Sequence, residues 1–275
     1  MAQFNLYRKR AEIDINGRLF KGPPFSINFE LTQELASFTK VSATLWNPND
    51  ETIAACEQKR EGKKIIYPPV TIQAGYEDNF GIAGTGVCKK FSVSRDGTNR
   101  ILKMEIQDNN RWWDQRVMKS YYNKKASEII SDLVGDRPNS ISLGEDKFYK
   151  KFFARTIYQA VKTFYTETKS HYYFRNGTLV MEPRKFNIGR AFKLTYETGL
   201  VGTPERIDEP PSRDDKKKPF RGFKVKTLFI YGLNMFRSVE IDTPTTLYRG
   251  KIYRANQKFS TFDSSESEYL ISDNF

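Results

Sequence analysis

Histidine and cysteine are almost missing from this chain of 275 residues, which has one of the first and two of the second. A Ser–His–Asp set or a zinc site needs several convergent groups, and His171 has no second histidine to converge with. Next to Tyr172, it reads as a strand-start or interface residue. Cys56 and Cys88 stand far apart without the short spacing of metal ligands, so they read as buried thiols and not as a disulfide, which points to assembly in a cytoplasm. No run approaches the roughly 18 apolar residues of a membrane span. The stretch from Met1 to Arg10 places its charges after a mixed segment and has no apolar core, so it does not read as a secretory signal. The sequence therefore leads us to expect no membrane anchor, no metal, no cofactor and no enzymatic activity.

Other chemical signatures are incomplete. Gly81, Gly84 and Gly86 lack the G-x-G-x-x-G spacing, and a strand follows where a phosphate-binding loop needs a helix. Glu205 and Asp208 lie three apart in a proline-bounded segment; a glycosidase pair is not excluded by that spacing, but nothing in it fixes the geometry a sugar requires. Trp112 and Trp113 are able to stack on a base or a sugar, yet aromatic side chains are also enriched where subunits meet. With Tyr121 and Tyr122 they form a candidate subunit interface.

What is plentiful is aromatic surface and positive charge. The chain holds 21 Phe and 15 Tyr, and 45 Lys and Arg against 33 Asp and Glu leave a formal net charge of +12. Such a balance suits anionic partners, nucleic acid first among them. The cations gather in loops, at Lys59–Arg60, Lys63–Lys64 and Lys216–Lys218, and no zinc-finger, helix-turn-helix or RNP pattern accompanies them. Both readings, a solvated charged surface and a nucleic-acid-binding face, stay open on composition.

Strand periodicity runs through the first hundred residues. Ile13 and Ile15 alternate into a hairpin turn at Asn16–Gly17. Phe25–Leu31 and Val41–Trp46 alternate strictly, and Asn49 or Asp50 caps a short helix reaching Cys56. Val70–Tyr76 is a further strand, and Val87–Ser94 with Arg100–Gln107 makes a hairpin turned at Asp96–Gly97. From Asn109 the pattern changes. Lys125–Val134 and Arg155–Lys169 carry apolar residues at helical spacing, and Tyr172–Phe174 and Thr178–Met181 are strands joined by Asn176–Gly177. Short strands return at Phe192–Tyr196, Phe223–Phe229, Ser238–Ile241, Leu247–Ala255 and Glu268–Ile271.

One stretch organises this order. Thr198-Gly199-Leu200-Val201-Gly202-Thr203-Pro204-Glu205-Arg206 is turn chemistry; a charged, proline-rich loop over 205–222 follows, and then the strand Phe223-Lys224-Val225-Lys226-Thr227-Leu228. This succession resembles the C-terminal part of phage baseplate hub proteins, with Gly199, Leu200, Gly202, Pro204, Glu205, Val225, Thr227 and Leu228 carrying the likeness. Val70-Thr71-Ile72-Gln73-Ala74-Gly75-Tyr76 resembles a strand of the first barrel in the same family. Leu45-Trp46-Asn47-Pro48-Asn49 occupies the place of another family segment and departs from it in sequence. The resemblance implies an α+β, mainly β chain: a tail-tube-like β-barrel domain over 1–108, a small inserted α/β domain over 109–190 and a second tube-like barrel over 191–275. It implies a structural virion protein, a homotrimeric hub that joins the tail tube to the central spike or tail tip. Its partners would be the tube protein, the spike or tip protein and other baseplate proteins, with DNA only in transit through the channel. Its place would be the virion tail baseplate, assembled in the host cytoplasm. The alternative is a basic nucleic-acid-binding protein.

Overall fold

A computed structural model describes residues 8–62, 64–77, 79–107, 116–184, 191–209 and 220–273. Among these, the chain forms two compact units. One takes its described residues from 1–34, 39–108 and 188–275, and the other from 35–38 and 109–187.

The first unit begins with β1 (Arg10–Ile15) and β2 (Arg18–Gly22), joined at Asn16 and Gly17. Both turn residues have positive φ, 52° and 85°, the backbone that a two-residue hairpin demands and that Asn and Gly tolerate best. In β3 (Ile27–Glu34) and β4 (Lys40–Trp46) alternate side chains are buried, as the period of two in the sequence requires. Helix α1 (Asp50–Ala54) starts where the Asn49 side chain accepts the Thr52 N–H at 2.8 Å. It ends two residues before Cys56. A short hairpin of β5 (Lys59–Glu61) and β6 (Lys64–Ile66) leads to β7 (Pro69–Tyr76), and the long β8 (Asn79–Asp96) and β9 (Asn99–Gln107) pair as far as Asp96 opposite Asn99.

The second unit holds β10 (Arg116–Lys125), α2 (Ala126–Val134), β11 (Asn139–Ile141), β12 (Phe148–Thr156), α3 (Ile157–Glu167), β13 (Ser170–Arg175) and β14 (Thr178–Pro183). Ile129, Ile130, Leu133 and Val134 of α2 and Ala160, Val161 and Phe164 of α3 are buried in one cluster with Tyr172, Phe174, Leu179 and Met181. Strands β10 and β12 pair only with each other, whereas β14 pairs antiparallel with β13 and parallel with β11.

The chain then returns to the first unit with β15 (Phe192–Leu194), β16 (Leu200–Glu209), β17 (Phe220–Leu228), β18 (Ser238–Thr243), β19 (Thr246–Ser260) and β20 (Glu266–Ser272). The early and late strands form one 13-stranded sheet, in the order β16-β17-β20-β19-β3-β4-β9-β8-β7-β1-β2, with β18 and β15 extending from β19. Its seam is β3 against β19, from Asn28 opposite Ser260 to Glu34 opposite Arg254. Phe29 and Phe259 face each other there, stacked at 5.5 Å, and Phe229 sits edge-on to both at 5.7 and 5.0 Å.

The protein is mainly β, as the alternation indicated. Among the described residues, however, no closed barrel forms. The strand path ends at β16 and β2, because β3 and β19 bond to each other instead of closing two separate rings. The expected loop over 205–222 is strand at both ends, with Asp208 opposite Arg221 and Glu209 opposite Phe220. Residues 210–219 lie outside the described residues.

The seam sets the first prediction. Phe29 is buried and touches both partner rings, so Phe29→Ala should lose about 3–5 kcal/mol in urea unfolding. Ser42→Ala, on the exposed side of β4, should stay within about 0.5 kcal/mol. Equal losses at the two positions would contradict the register.

Candidate interaction surfaces

The turn-and-strand stretch folds as the edge of the large sheet. Thr195 and Thr198 tie the turn: the Thr195 N–H donates to Thr198 Oγ1 at 2.8 Å, and Leu200 N–H donates to the Thr195 carbonyl at 2.9 Å. Gly199 follows with φ 105°, and its carbonyl accepts the Leu228 N–H at 2.8 Å. Leu200 pairs with Thr227 and Val201 with Lys226, but the next pair is Glu205 with Lys224. Gly202, Thr203 and Pro204 thus stand opposite Val225 alone, with Gly202 and Thr203 exposed and Pro204 buried. Gly202 has φ 68°, which favours glycine, and Pro204 brings no N–H to a place where the ladder is already interrupted. Each glycine and the proline in this segment therefore has a backbone reason.

Val225 and Thr227 are buried, while Glu205 is exposed. Lys224 Nζ lies 2.9 Å from Glu268 Oε2; this hydrogen bond and the charges of Glu268 and Glu205 hold the ammonium above its ordinary value. Beside this edge is a cleft of about 560 Å³ bordered by Arg206, Asp208, Arg221, Leu247, Tyr248 and Asp273. Arg221 Nε donates to Asp208 Oδ1 at 3.1 Å, Tyr248 packs on Phe223 with ring centroids 4.7 Å apart, and the Tyr248 hydroxyl accepts the Asp273 N–H at 2.8 Å. Burial, then Asp273, pushes the Tyr248 phenol up to about 12. Asp208 is held by an arginine, and Glu205 lies three residues before it on the same open strand, opposite Lys224. Their surroundings match an exposed sheet edge.

The other residues singled out in the sequence are dispersed. Trp112 and Trp113 lie outside the described residues. Tyr121 turns inward, its hydroxyl donating to Asp132 Oδ2 at 2.6 Å, and Lys119 Nζ reaches the same oxygen at 3.0 Å. Burial and the Asp132 hydrogen bond raise the Tyr121 phenol, and the bonds from Tyr121 and Lys119 lower the Asp132 carboxyl. Tyr122, the next residue, faces out. His171 is buried in β13 opposite Glu182, its ring 6.0 Å from that of Tyr165.

Cys56 and Cys88 meet in the core as free thiols. Cys56 Sγ lies 3.6 Å from Met104 Sδ, and Cys88 Sγ donates to the Lys90 carbonyl at 3.4 Å. The hydrogen bond to Cys88, with burial, pushes the Cys56 thiol well above its ordinary value. Sequence distance hid this meeting, in which the residue two places beyond α1 and one in β8 enter the same core cluster. Among the described residues, no three His, Cys, Asp or Glu side chains gather where they would hold a metal ion, and no helix is long and apolar enough to cross a membrane.

No protein-family model matches the chain, and no curated protein matches it. Solved structures do share its fold. The tail protein from Neisseria meningitidis is 8% identical with a TM-score of 0.71, covering 97% of this chain and 97% of that one. The 43 kDa tail protein of prophage MuSo2 from Shewanella oneidensis is 9% identical at a TM-score of 0.65, covering 96% of each chain. An E. coli protein, described as a component of the type VI secretion system with structural similarity to T4 bacteriophage tail proteins, is 10% identical at a TM-score of 0.62, over 89% of this chain and 72% of that one. The chain thus has the fold of phage tail proteins, in agreement with the resemblance carried by its turn-and-strand stretch.

The edge geometry gives a second prediction. A Cβ on Gly222 would stand 2.0 Å from the Ile271 carbonyl oxygen, whereas one on Gly202 would meet nothing within 4 Å. Gly222→Ala should therefore destabilise by about 1–3 kcal/mol through steric overlap with a fixed backbone. Gly202→Ala should cost roughly 1–2 kcal/mol, from its left-handed backbone alone. Thermal and urea unfolding compare them; a neutral Gly222→Ala would contradict the close packing of β17 on β20.

Proposed function

We propose that this protein is a structural hub of a phage tail, a homotrimer that joins the tail tube to the central spike or tail tip. The observation that carries the reading is the large sheet. Its fold is shared with tail proteins over nearly the whole chain, and its strand path ends in unpaired edges. At one end, β16 presents ten residues with β17 on one side and, among the described residues, no strand on the other. An unpaired edge of that length invites aggregation unless another chain covers it. Closure into a ring removes the liability, because a rotational contact repeated between copies leaves no free end.

In this account the strands β1–β4 with β7–β9 are one tube-like module and β15–β20 are the other. Three chains then offer six modules to a six-fold tube and a three-fold face to the spike. The α/β unit of β10–β14 is the insertion between them. Tube, spike or tip and other baseplate proteins are the partners, and the ring lines the channel through which DNA passes. The work of the molecule is contact area and conduit, with no chemical step. Its site of action is the virion tail, after assembly in the host cytoplasm.

Light scattering of the purified protein tests this reading directly. The expected result is three times the chain mass, with little retention on immobilised DNA at physiological salt. A monomer at all concentrations, retained on DNA with a steep salt dependence, would overturn the hub and favour the nucleic-acid-binding alternative.

A further inference from the structure

The two-stranded ribbon β10–β12 has a surface that its own unit leaves uncovered. Its inner face is well used: Phe152 and Ala154 are buried, and Tyr149 and Phe152 pack on Phe164 of α3. Its outer face carries Met118, Tyr122, Phe148 and Phe153, which are 62%, 60%, 54% and 39% exposed. The register places Ser120 opposite Phe153 and Tyr122 opposite Lys151. Directly opposed residues of an antiparallel pair share a face, so Ser120, Phe153, Tyr122 and Lys151 form one patch, and Phe148 is exposed opposite Lys125 at the end of the ribbon. Met118 stands in the register shift between Arg116 and Lys119 and has φ 50°. A bulge of this kind re-aims a side chain, and here it turns a large apolar group toward solvent at the expense of an unfavourable backbone.

The same ribbon is charged with one sign. Strands β10 and β12 contain Arg116, Lys119, Lys124, Lys125, Lys150, Lys151 and Arg155 and not one Asp or Glu. The helices neutralise part of this from the inner side, Asp132 meeting Lys119 and Glu128 meeting Lys124. Among the described residues Arg116, Lys150, Lys151 and Arg155 have no carboxylate partner. Lys151 Nζ instead lies 5.9 Å from the Tyr122 ring centroid.

We propose that this ribbon face docks a different protein, one whose surface is acidic and carries apolar side chains between its carboxylates. Charge complementarity selects the sign: acidic groups relieve the uncompensated cations, and the same ribbon of a second copy would place like charges together. The apolar side chains select the class. Bases stack on aromatic rings but leave Met118 unmatched, whereas protein interfaces are enriched in Met, Tyr, Phe and Arg together. On this reading Tyr122 contacts a foreign chain, where the sequence pointed to a contact between subunits. The inference rests on the surface of this unit and does not require the hub reading, so a monomer in solution leaves it standing.

Binding of the full chain to three labelled probes, followed by fluorescence anisotropy, tests it. The probes are a soluble peptide alternating glutamate with leucine, poly-L-glutamate of matched charge, and a single-stranded oligonucleotide of matched charge. The alternating peptide should bind at least about tenfold tighter than either other probe. Tyr122→Ser and Phe153→Ser should each weaken it by about tenfold or more, as expected for aromatic anchors. Lys151→Glu and Arg155→Glu, at exposed positions where folding is not at stake, should weaken it and reduce its salt dependence. The proposal is overturned if the oligonucleotide binds tighter and responds to the same four substitutions, which would make the face a nucleic-acid site. It is equally overturned if no probe binds, or if peptide binding ignores all four changes.

Discussion

The pairing of β3 with β19 is the constraint on which the rest of the large unit depends. It joins residues 28–34 to residues 254–260 by an antiparallel ladder, and side chains lock it from both ends. Ile27 N–H donates to Thr261 Oγ1 at 3.0 Å, Ser260 Oγ donates to Asn28 Oδ1 at 2.6 Å, and the Gln33 side-chain oxygen accepts the Met235 N–H at 3.2 Å. Between these polar ties lies the Phe29, Phe229 and Phe259 cluster. Without the seam, β3 and β19 would each expose an edge with half its hydrogen bonds unmade, and buried backbone groups left unpaired are costly. With it, the two ends of the chain become one sheet, and the unpaired edges move out to β2 and β16.

Those two edges are managed differently. β2 is five residues long, carries Arg18 and Lys21, and has α1 beside it, with Arg18 Nη1 3.0 Å from Glu51 Oε2. Short length, charge and a neighbouring helix all blunt an edge. β16 is twice as long and is interrupted only by its Gly202–Pro204 bulge. β16 thus remains a long open strand beside a cleft of mixed charge. The proposed trimer draws on this edge, while the basic, apolar ribbon of the smaller unit addresses a partner of opposite charge. Two surfaces of different chemistry on separate units suit a component that is held in an assembly by more than one kind of neighbour.

Local periodicity made much of this legible. The alternation in Phe25–Leu31 and Val41–Trp46 marked β3 and β4, Asn16–Gly17 and Asn176–Gly177 marked hairpins, and the apolar spacing of Lys125–Val134 and Arg155–Lys169 marked α2 and α3 to within two residues at each end. The seam was not legible, because a strand pattern states which side chains are buried and says nothing of which distant strand completes the ladder. For the same reason Cys56 and Cys88 gave no sign of meeting. The segment 205–209 read as loop because its charges suggest solvation; in the structure, cross-strand pairs such as Asp208 with Arg221 make those charges compatible with an exposed strand. Tyr121 and Tyr122 read alike as interface residues, yet the strand period sends one to Asp132 and the other to solvent.

In the proposed hub, the open β16 edge is completed by a neighbouring chain of a three-fold ring. A cryo-electron microscopy map of the purified protein, or of the tail tip containing it, would show this contact. The expected map has three copies around one axis, with density from a neighbour against residues 200–209. A single copy, or a ring in which that strand faces solvent, would contradict it.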